Sequence, residues 1–410
     1  MRNIRKIMSI AIVAMMLLAA TACGGAPATT TAAPTTAAPT TEAPATEAPA
    51  TEAPTTEAPA QTDPPETTTA EVTDPTREGG AFRVGVSMPT RDLQRWNQDG
   101  ANLEQMLSAR GFEVDLQFAA NDVPTQVAQL ENMIGMGANV LVIAAIDGDS
   151  LTEVLADAAT QGITVIAYDR LIMNTPAVSY YATFDNFQVG VMQGEFLRDA
   201  LDLPNQPGPF YMEFFTGDPG DNNIFFFFPG AMSVLQPFID DGTIVSPSGQ
   251  TGIMEVATLG WSTENAQTRM ENLIALNNLT PGGHMLHAVM CSNDSTAQGV
   301  TNALTNAGWT EDNFPLITGQ DCDIISVRNM IAGTQAMSVF KDTRVLAANV
   351  VEMVAAISEG REVPVNDLQS YDNNTGIIPT FLSEPVIGTI NNYRELLIDG
   401  GYYTEAELYG

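Results

Sequence analysis

Polar and charged side chains recur in this sequence directly after short apolar runs, where predicted strands end. Tyr168-Asp169-Arg170, Gly319-Gln320-Asp321 and Phe340-Lys341-Asp342 are three examples. Taken singly, each is explained by a turn or a helix N-cap, since Asp, Asn and Ser favour both. Taken together, they form a set that suits the binding of a neutral polyol: carboxylates, amides, arginines and tryptophans. Its hydroxyls donate and accept hydrogen bonds, and the C–H face of a sugar ring packs on an aromatic ring.

An enzyme is the main alternative for such a set, because paired carboxylates also serve glycosidases. The candidate acids come with Arg170, Lys341 and several amides, which suits ionised hydrogen-bond acceptors better than a proton donor. The sequence has no HExxH, GxSxG, Walker or GxGxxG motif. Its two histidines, His284 and His287, lie before or within a predicted strand. We therefore predict a binding site with no catalytic residue, no metal and no cofactor.

The elements that position these residues alternate strand and helix from residue 81 onward. Predicted strands at 82–89, 114–119, 139–146 and 164–168 alternate with predicted helices at 93–109, 123–136 and 151–160. The pattern restarts at 210 and runs to a long predicted helix at 343–359. Continuous apolar strands between amphipathic helices predict a doubly wound, parallel α/β sheet. Two successive units predict two lobes, with a ligand cleft between the carboxyl ends of their strands.

Composition excludes several partners. The 410 residues carry 49 acidic and 16 basic side chains, a formal net charge of −33. Nucleic acid is therefore disfavoured as a partner, because phosphate binding needs Lys and Arg patches. Docking onto anionic lipid is disfavoured for the same reason. The three cysteines are too few for a disulfide scaffold.

The N-terminus has the pattern of an export signal. A basic start is followed by an apolar run, Ile10 to Ala20, which is too short for a comfortable membrane span. Ala20-Thr21-Ala22-Cys23 resembles a bacterial lipobox, with Ala20 where Leu is more usual. We predict that residues 1–22 are a lipoprotein signal peptide and that Cys23 carries the lipid; an ordinary secretory signal with a chance cysteine is the alternative.

Residues 23–79 are predicted to be a disordered tether behind that cysteine. The segment is mostly Thr, Pro, Ala and Glu, with TEAP repeated every five residues from Thr41 to Thr56. It has almost no apolar side chain larger than Ala, so it cannot bury enough surface to offset its ordering entropy. The predicted location is the outer face of a cytoplasmic membrane, at the cell surface or in the periplasm.

A series of motifs resembles a known family over nearly all of residues 82–410. In order, they are GVSMPTRDLQRW (85–96), IAAIDG (143–148), VIAYDRLI (165–172), YYATFDNFQVG (180–190), GDPGDNN (217–223), SNDSTAQG (292–299), TGQDCD (318–323), VFKDTR (339–344) and YDNNTGIIPTFLSEPV (371–386). They resemble the type I, ribose-binding-like periplasmic sugar-binding proteins of ABC importers, in the xylose and multiple-monosaccharide branch.

That resemblance implies two lobes joined by a three-segment hinge, with crossings near Phe184–Asn186, Phe340–Lys341 and Gly376–Thr380. The N-terminal lobe would comprise residues 80–185 and 341–377, and the C-terminal lobe residues 186–340 and 378–410. It also implies a monomer that carries xylose, glucose, galactose or arabinose to an importer permease.

The sugar contacts implied by the resemblance are Arg95, Trp96, Asp169, Arg170, Asn223, Trp261, Asn265, Asp294, Asp321 and Lys341. Cys291 and Cys322 depart from the family pattern, and buried free thiols are expected there more than a disulfide pair. A sensor that presents sugar to a membrane kinase or chemoreceptor is the alternative function. Sugar-responsive repressors share the fold but begin with a helix-turn-helix, whereas this chain begins with a signal and a stalk.

Overall fold

A computed structural model describes residues 80–410. The predicted signal peptide, Cys23 and the tether lie outside the described residues. Along the described chain, the strands are β1 (Arg83–Met88), β2 (Glu113–Phe118), β3 (Val140–Ile143), β4 (Thr164–Tyr168), β5 (Val178–Phe184), β6 (Phe210–Phe215), β7 (Ile244–Val245), β8 (Ala288–Cys291), β9 (Leu316–Ile317), β10 (Met337–Phe340), β11 (Thr380–Ser383) and β12 (Val386–Thr389).

The helices alternate with these strands. They are α1 (Gln94–Ala109), α2 (Val123–Gly135), α3 (Thr152–Thr160), α4 (Asn186–Ala200), α5 (Ile224–Asp240), α6 (Thr263–Asn277), α7 (Asp294–Asn306), α8 (Ile324–Ile331), α9 (Thr343–Ser358) and α10 (Glu405–Tyr409). A 3₁₀ turn at Leu259–Trp261 and a π-helical segment at Arg394–Asp399 complete the set. None of the helices in residues 80–410 is long and apolar enough to cross a membrane.

The N-terminal lobe is built on a six-stranded parallel sheet of order β11-β5-β4-β3-β1-β2. Helices α1 and α9 pack on one face, with Leu103 and Leu346 against Val86. Helices α2 and α3 cover the other face, with Leu130 and Leu155 in a second core. Burial on both faces explains why β1, β3 and β4 read as continuous Val/Ile-rich runs.

The C-terminal lobe has a parallel sheet of order β7-β6-β8-β9. Backbone hydrogen bonds from β10 extend it, and β12 pairs with β10 in the antiparallel direction. On one face, α4 and α5 approach so closely that a Cβ added at Gly190 would lie 2.0 Å from the Phe227 carbonyl oxygen. Only glycine permits this helix contact. The predicted α/β fold with two parallel-sheet lobes is thus confirmed.

The chain passes between the lobes at three places. The first is between β5 and α4, and the second between β10 and α9. The third lies between β11 and β12, at Glu384 and Pro385, and the predicted crossing near Gly376–Thr380 is wrong. Strand β11 pairs in parallel with Tyr181–Phe184 of β5, so the chain stays in the N-terminal lobe to Ser383. The boundary between the lobes, predicted at residue 378, therefore lies at Glu384 and Pro385.

Candidate functional site

A polar cavity lies between the two lobes, at the carboxyl ends of their strands. Its walls come from both lobes and from the second crossing. The lining residues are Leu93, Arg95, Trp96, Asp169, Arg170, Asp221, Asn223, Phe227, Trp261, Asn293, Ser295, Gln320, Asp321, Asp323 and Lys341.

Asp169 is held in place by its backbone, in a left-handed conformation with φ of 58° directly after β4. Its amide donates to the Ala182 carbonyl at 2.7 Å. Its own carbonyl accepts bonds from the Tyr181 hydroxyl (2.6 Å), the Thr183 hydroxyl (3.0 Å) and the Asn223 amide (2.9 Å). Left-handed non-glycine residues persist where the surrounding structure holds them, often at ligand sites. These backbone bonds therefore direct the Asp169 carboxylate toward the cavity, where it meets Arg95 and Lys341.

Arg95, on the first turn of α1, is the centre of a buried ion-pair network. Its guanidinium contacts Asp169 at 2.9 Å, Asp99 at 3.0 Å and Asp321 at 3.3 Å. Lys341 lies 3.3 Å from Asp321 and 3.6 Å from Asp169. The contacts to Asp321 join the two lobes, because Arg95 belongs to one and Asp321 to the other. These charge pairs thus link the two lobes across the cavity.

Burial and pairing act in opposite directions on the carboxylates of this network. Burial favours a higher pKa for Asp169, but the charges of Arg95, Lys341 and Arg170 outweigh it and hold that pKa below its ordinary value. At Asp99, burial outweighs Arg95 and raises the pKa to about 6. Asp169 is therefore an ionised acceptor at neutral pH, whereas Asp99 lies behind it and supports Arg95.

A second inter-lobe link joins Arg170, Asp221 and Trp261. Arg170 Nε lies 2.8 Å from Asp221 Oδ2, and the Trp261 indole donates to the same oxygen at 3.1 Å. Trp261 has φ of 54° and lies directly over Gly217, where an added Cβ would be 2.1 Å from its ring. Burial raises the pKa of Asp221, although Arg170 opposes the shift. This link fixes one aromatic wall of the cavity.

Trp96 provides an aromatic wall from the opposite lobe. The Arg95 and Arg170 guanidinium carbons lie 4.6 Å and 5.0 Å from its ring centroid. Phe227, on α5, contacts Trp261 edge-on with centroids 6.3 Å apart. Cation–π contact holds the Trp96 ring among charged groups without using its indole N–H.

The structure brings most of the predicted site residues together. Those that line the cavity are Arg95, Trp96, Asp169, Arg170, Asn223, Trp261, Asp321 and Lys341. Asn265 is exposed and lies outside it, where its side-chain amide donates to the Leu259 carbonyl at 3.0 Å. That bond supports the turn that presents Trp261, and the predicted direct contact by Asn265 stays a prediction.

Asp294 also lies outside the cavity, behind the wall that its neighbour Asn293 forms. Its carboxylate accepts bonds from the Gln335 amide (2.9 Å), the Ser338 hydroxyl (2.9 Å) and the Asp323 backbone amide (2.8 Å). Burial, with Asp323 and Asp321 close by, raises the pKa of Asp294 well above its ordinary value. These partners use the oxygens of Asp294 in this structure, and its predicted sugar contact stays a prediction.

Sequence reasoning missed several lining residues. Five of them lie within motifs at strand ends, and that position in the sequence could have identified them: Asp221, Asn293, Ser295, Gln320 and Asp323. Phe227 had no comparable signal, since it is one of four consecutive phenylalanines at the start of α5. Cys291 and Cys322 are buried free thiols.

The arrangement suits enclosure of a polar ligand. The lobes meet around the cavity, for example where the Gly148 amide donates to the Gly220 carbonyl at 3.0 Å. Each lobe contributes an aromatic ring and charged hydrogen-bonding groups. Among residues 80–410 there is no cluster of three or more His, Cys, Asp or Glu side chains able to hold a metal ion.

Comparison with known proteins gives consistent matches. The periplasmic binding protein domain matches residues 84–362. The multiple sugar-binding periplasmic protein SbpA of Azospirillum brasilense is 46% identical over 82% of this chain and 93% of its own. The D-xylose-binding periplasmic protein of Escherichia coli is 34% identical over 82% of this chain and 96% of its own.

A solved structure shows the same architecture. An ABC transporter solute binding protein from Clostridium phytofermentans, with bound β-D-glucose, is 60% identical to this chain and superposes with a TM-score of 0.77. The match covers 80% of this chain and 99% of that protein.

Proposed function

The chain belongs to the periplasmic binding protein family, and we propose that it is an extracytoplasmic receptor that encloses one neutral monosaccharide and delivers it to an ABC importer. The proteins it matches are binding proteins and not enzymes. The observation that carries the proposal is the buried inter-lobe cavity, where ionised acceptors, cations, amides and two tryptophans converge. One relative is named for D-xylose, and a similar solved structure holds β-D-glucose; both sugars carry the hydroxyls and the apolar ring face that such a cavity suits.

Closure of the lobes is the proposed mechanism. The lobes flex about the three crossings, and a sugar that contacts both lobes favours the closed state. Arg95 with Asp321, and Arg170 with Asp221, are the charged pairs that form as the lobes meet. The importer permease then recognises the closed form. Small-angle scattering should show a smaller radius of gyration with sugar; no change at saturating sugar would contradict the mechanism.

The charges of the cavity favour neutral ligands. Arg95, Arg170 and Lys341 are each paired with Asp169, Asp221 or Asp321. A phosphate or uronate would add a buried negative charge without a free cation to pair with it. We therefore expect sugar phosphates and uronates to bind weakly.

A calorimetric screen tests the ligand class directly. Xylose, glucose, galactose and arabinose are titrated into the full chain, with the corresponding uronates and phosphates as matched anions. At least one neutral sugar should bind, and its anionic counterpart should bind at least about ten-fold more weakly. The proposal would be overturned if an amino acid bound and no neutral sugar gave a binding signal.

We further propose that the receptor is a monomer anchored through a lipid on Cys23, with residues 23–79 as its tether. The support is the basic and apolar start, the lipobox-like Ala20-Thr21-Ala22-Cys23 and the Thr/Pro-rich repeats. Metabolic labelling with a fatty-acid probe should mark the native chain. Equal labelling of Cys23→Ala would contradict the anchor.

A further inference from the structure

A polar contact between the lobes lies outside the cavity, where α1 meets the C-terminal segment of the chain. The Gln94 side chain uses both ends of its amide there. Its Nε2 donates to the Tyr403 hydroxyl at 2.5 Å, and its Oε1 accepts from the Ile324 backbone amide at 3.1 Å. Gln98, one turn further along α1, donates to the same hydroxyl at 3.4 Å. We name this contact the inter-lobe latch (Gln94, Tyr403 and Ile324).

The residues of the inter-lobe latch belong to different lobes. Gln94 is the first residue of α1, which packs on the N-terminal sheet through Leu103. Tyr403 is 4% exposed and lies in a core of the C-terminal lobe with Leu397, and Ile324 is the first residue of α8 in that lobe. A hydrogen bond is lost once its atoms are more than about 3.5 Å apart. Separation of the lobes therefore breaks both bonds of Gln94.

The inter-lobe latch also completes the start of α8. Asp323 is the N-cap residue of this helix, and its side chain makes no capping hydrogen bond. The first amide groups of a helix have no partner within the helix, so the Gln94 oxygen satisfies one of them. Because that oxygen comes from the other lobe, α8 has this partner only while the lobes are together.

The loop between β9 and α8 joins the inter-lobe latch to the cavity. The Tyr403 hydroxyl donates to the Cys322 carbonyl at 2.9 Å. Cys322 and its neighbour Asp321 have left-handed backbones, with φ of 52° and 97°, and such residues persist where surrounding contacts hold them. Asp321 lies 3.3 Å from both Arg95 and Lys341 in the cavity. The inter-lobe latch thus stabilises the loop that carries a charged residue of the site.

We infer that Gln94 and Tyr403 are positioning residues that prolong the closed complex, although neither of them lines the cavity. The inference deepens the proposed function and rests on it, since closure around a sugar is the step that the inter-lobe latch favours. A contact made only in the closed state adds to sugar affinity, whereas a contact within one lobe stabilises the open and closed states equally. The contact forms as the lobes close on docked sugar, so its loss should appear in the rate of dissociation.

The test measures sugar association and dissociation by stopped-flow tryptophan fluorescence, because Trp96 and Trp261 line the cavity. The probe is whichever of xylose, glucose, galactose and arabinose binds the full chain most tightly in calorimetry. Gln94→Ala loses two neutral hydrogen bonds, so its dissociation rate should rise about five- to a hundred-fold, with an association rate within about two-fold of native. Tyr403→Phe loses the bond from Gln94, so its dissociation rate should rise about two- to ten-fold.

Two variants with matched chemistry serve as controls. Asn366→Ala removes a side-chain amide that donates to the Leu382 carbonyl at 2.9 Å and accepts from the Leu382 amide at 2.7 Å, within the N-terminal lobe. Tyr409→Phe removes a hydroxyl that bonds to the Tyr393 hydroxyl at 2.8 Å, within the C-terminal lobe. Both variants should keep the native association and dissociation rates, even where the melting temperature falls.

A double variant tests whether Gln94 and Tyr403 act as a pair. In the Gln94→Ala background, Tyr403→Phe should raise the dissociation rate by less than about two-fold more, because its partner is already absent. The inference is overturned if Gln94→Ala keeps the native dissociation rate, or if the effects of the two single variants multiply. Sugar binding by the native chain would then still support the proposed function. If no neutral sugar bound the native chain, the proposed function and this inference would both be overturned.

Discussion

Asp169→Asn isolates the charge of the carboxylate at the centre of the cavity. Asparagine tolerates the left-handed backbone at φ of 58°, and the bonds from Tyr181, Thr183 and Asn223 go to the backbone carbonyl, which the substitution keeps. What is lost is a charged acceptor. Hydrogen bonds to charged groups stabilise by about 1.5–3 kcal/mol and neutral ones by about 0.5–1.5 kcal/mol, a difference of about 1–2 kcal/mol. The dissociation constant for sugar should therefore rise about five- to thirty-fold.

The assay pairs calorimetric sugar affinity with thermal unfolding, and Asp122→Ala provides the control. Asp122 is the exposed N-cap of α2 and accepts from the Thr125 amide at 2.9 Å. Its loss should cost about 0.5–2 kcal/mol of stability and leave sugar affinity unchanged. If Asp169→Asn behaves like this control, with a lowered melting temperature and unaltered affinity, Asp169 is structural and the reasoning is refuted.

Other predictions follow from the walls of the cavity and from the buried acid behind Arg95. Gly217→Ala should displace the Trp261 ring and weaken sugar binding at least about ten-fold, with a changed tryptophan emission spectrum; an unshifted spectrum with native affinity would contradict this. Asn293→Ala should weaken binding about ten-fold or more, whereas Asn265→Ala should change it less than about three-fold; calorimetry that ranks the two variants in reverse would favour Asn265 as the direct sugar contact. Because the pKa of Asp99 is raised to about 6, the folded chain binds its proton more tightly than the unfolded chain does. Stability from this group is therefore present at low pH and is lost as pH rises through about 6, so the melting temperature of the native chain relative to Asp99→Asn should fall from about pH 4 to about pH 6.

The fold could be predicted because each local signal agrees with the tertiary arrangement. β3 and β4 are apolar runs buried on both faces, and the helices between them bear one apolar stripe. Such patterns admit few arrangements besides a parallel sheet covered by helices. Asp169, Arg170 and Lys341 were accessible to prediction for the same reason, since parallel strands bring their carboxyl ends to one edge.

The third crossing shows a feature that the local sequence pattern does not predict. The residues Thr380–Ser383 have the pattern of a strand, but these four residues alone do not determine which sheet the strand joins. Its partner, β5, lies almost two hundred residues earlier in the chain. Strand pairing over such a separation depends on the shape of the whole lobe and not on the strand itself.

The sequence by itself determined the class of the protein, namely the two α/β lobes, the acidic composition and the polar strand ends that line the cavity. Only the tertiary structure decided which of two adjacent side chains enters the cavity. Asn293 and Asp294 differ by one position, yet one lines the cavity and the other supports the loop behind it. The physical reason is that successive side chains at a strand-to-helix junction point in different directions. Which direction faces the cavity depends on where the opposite lobe, Arg95 and the loop between β9 and α8 lie, and local sequence does not encode that placement.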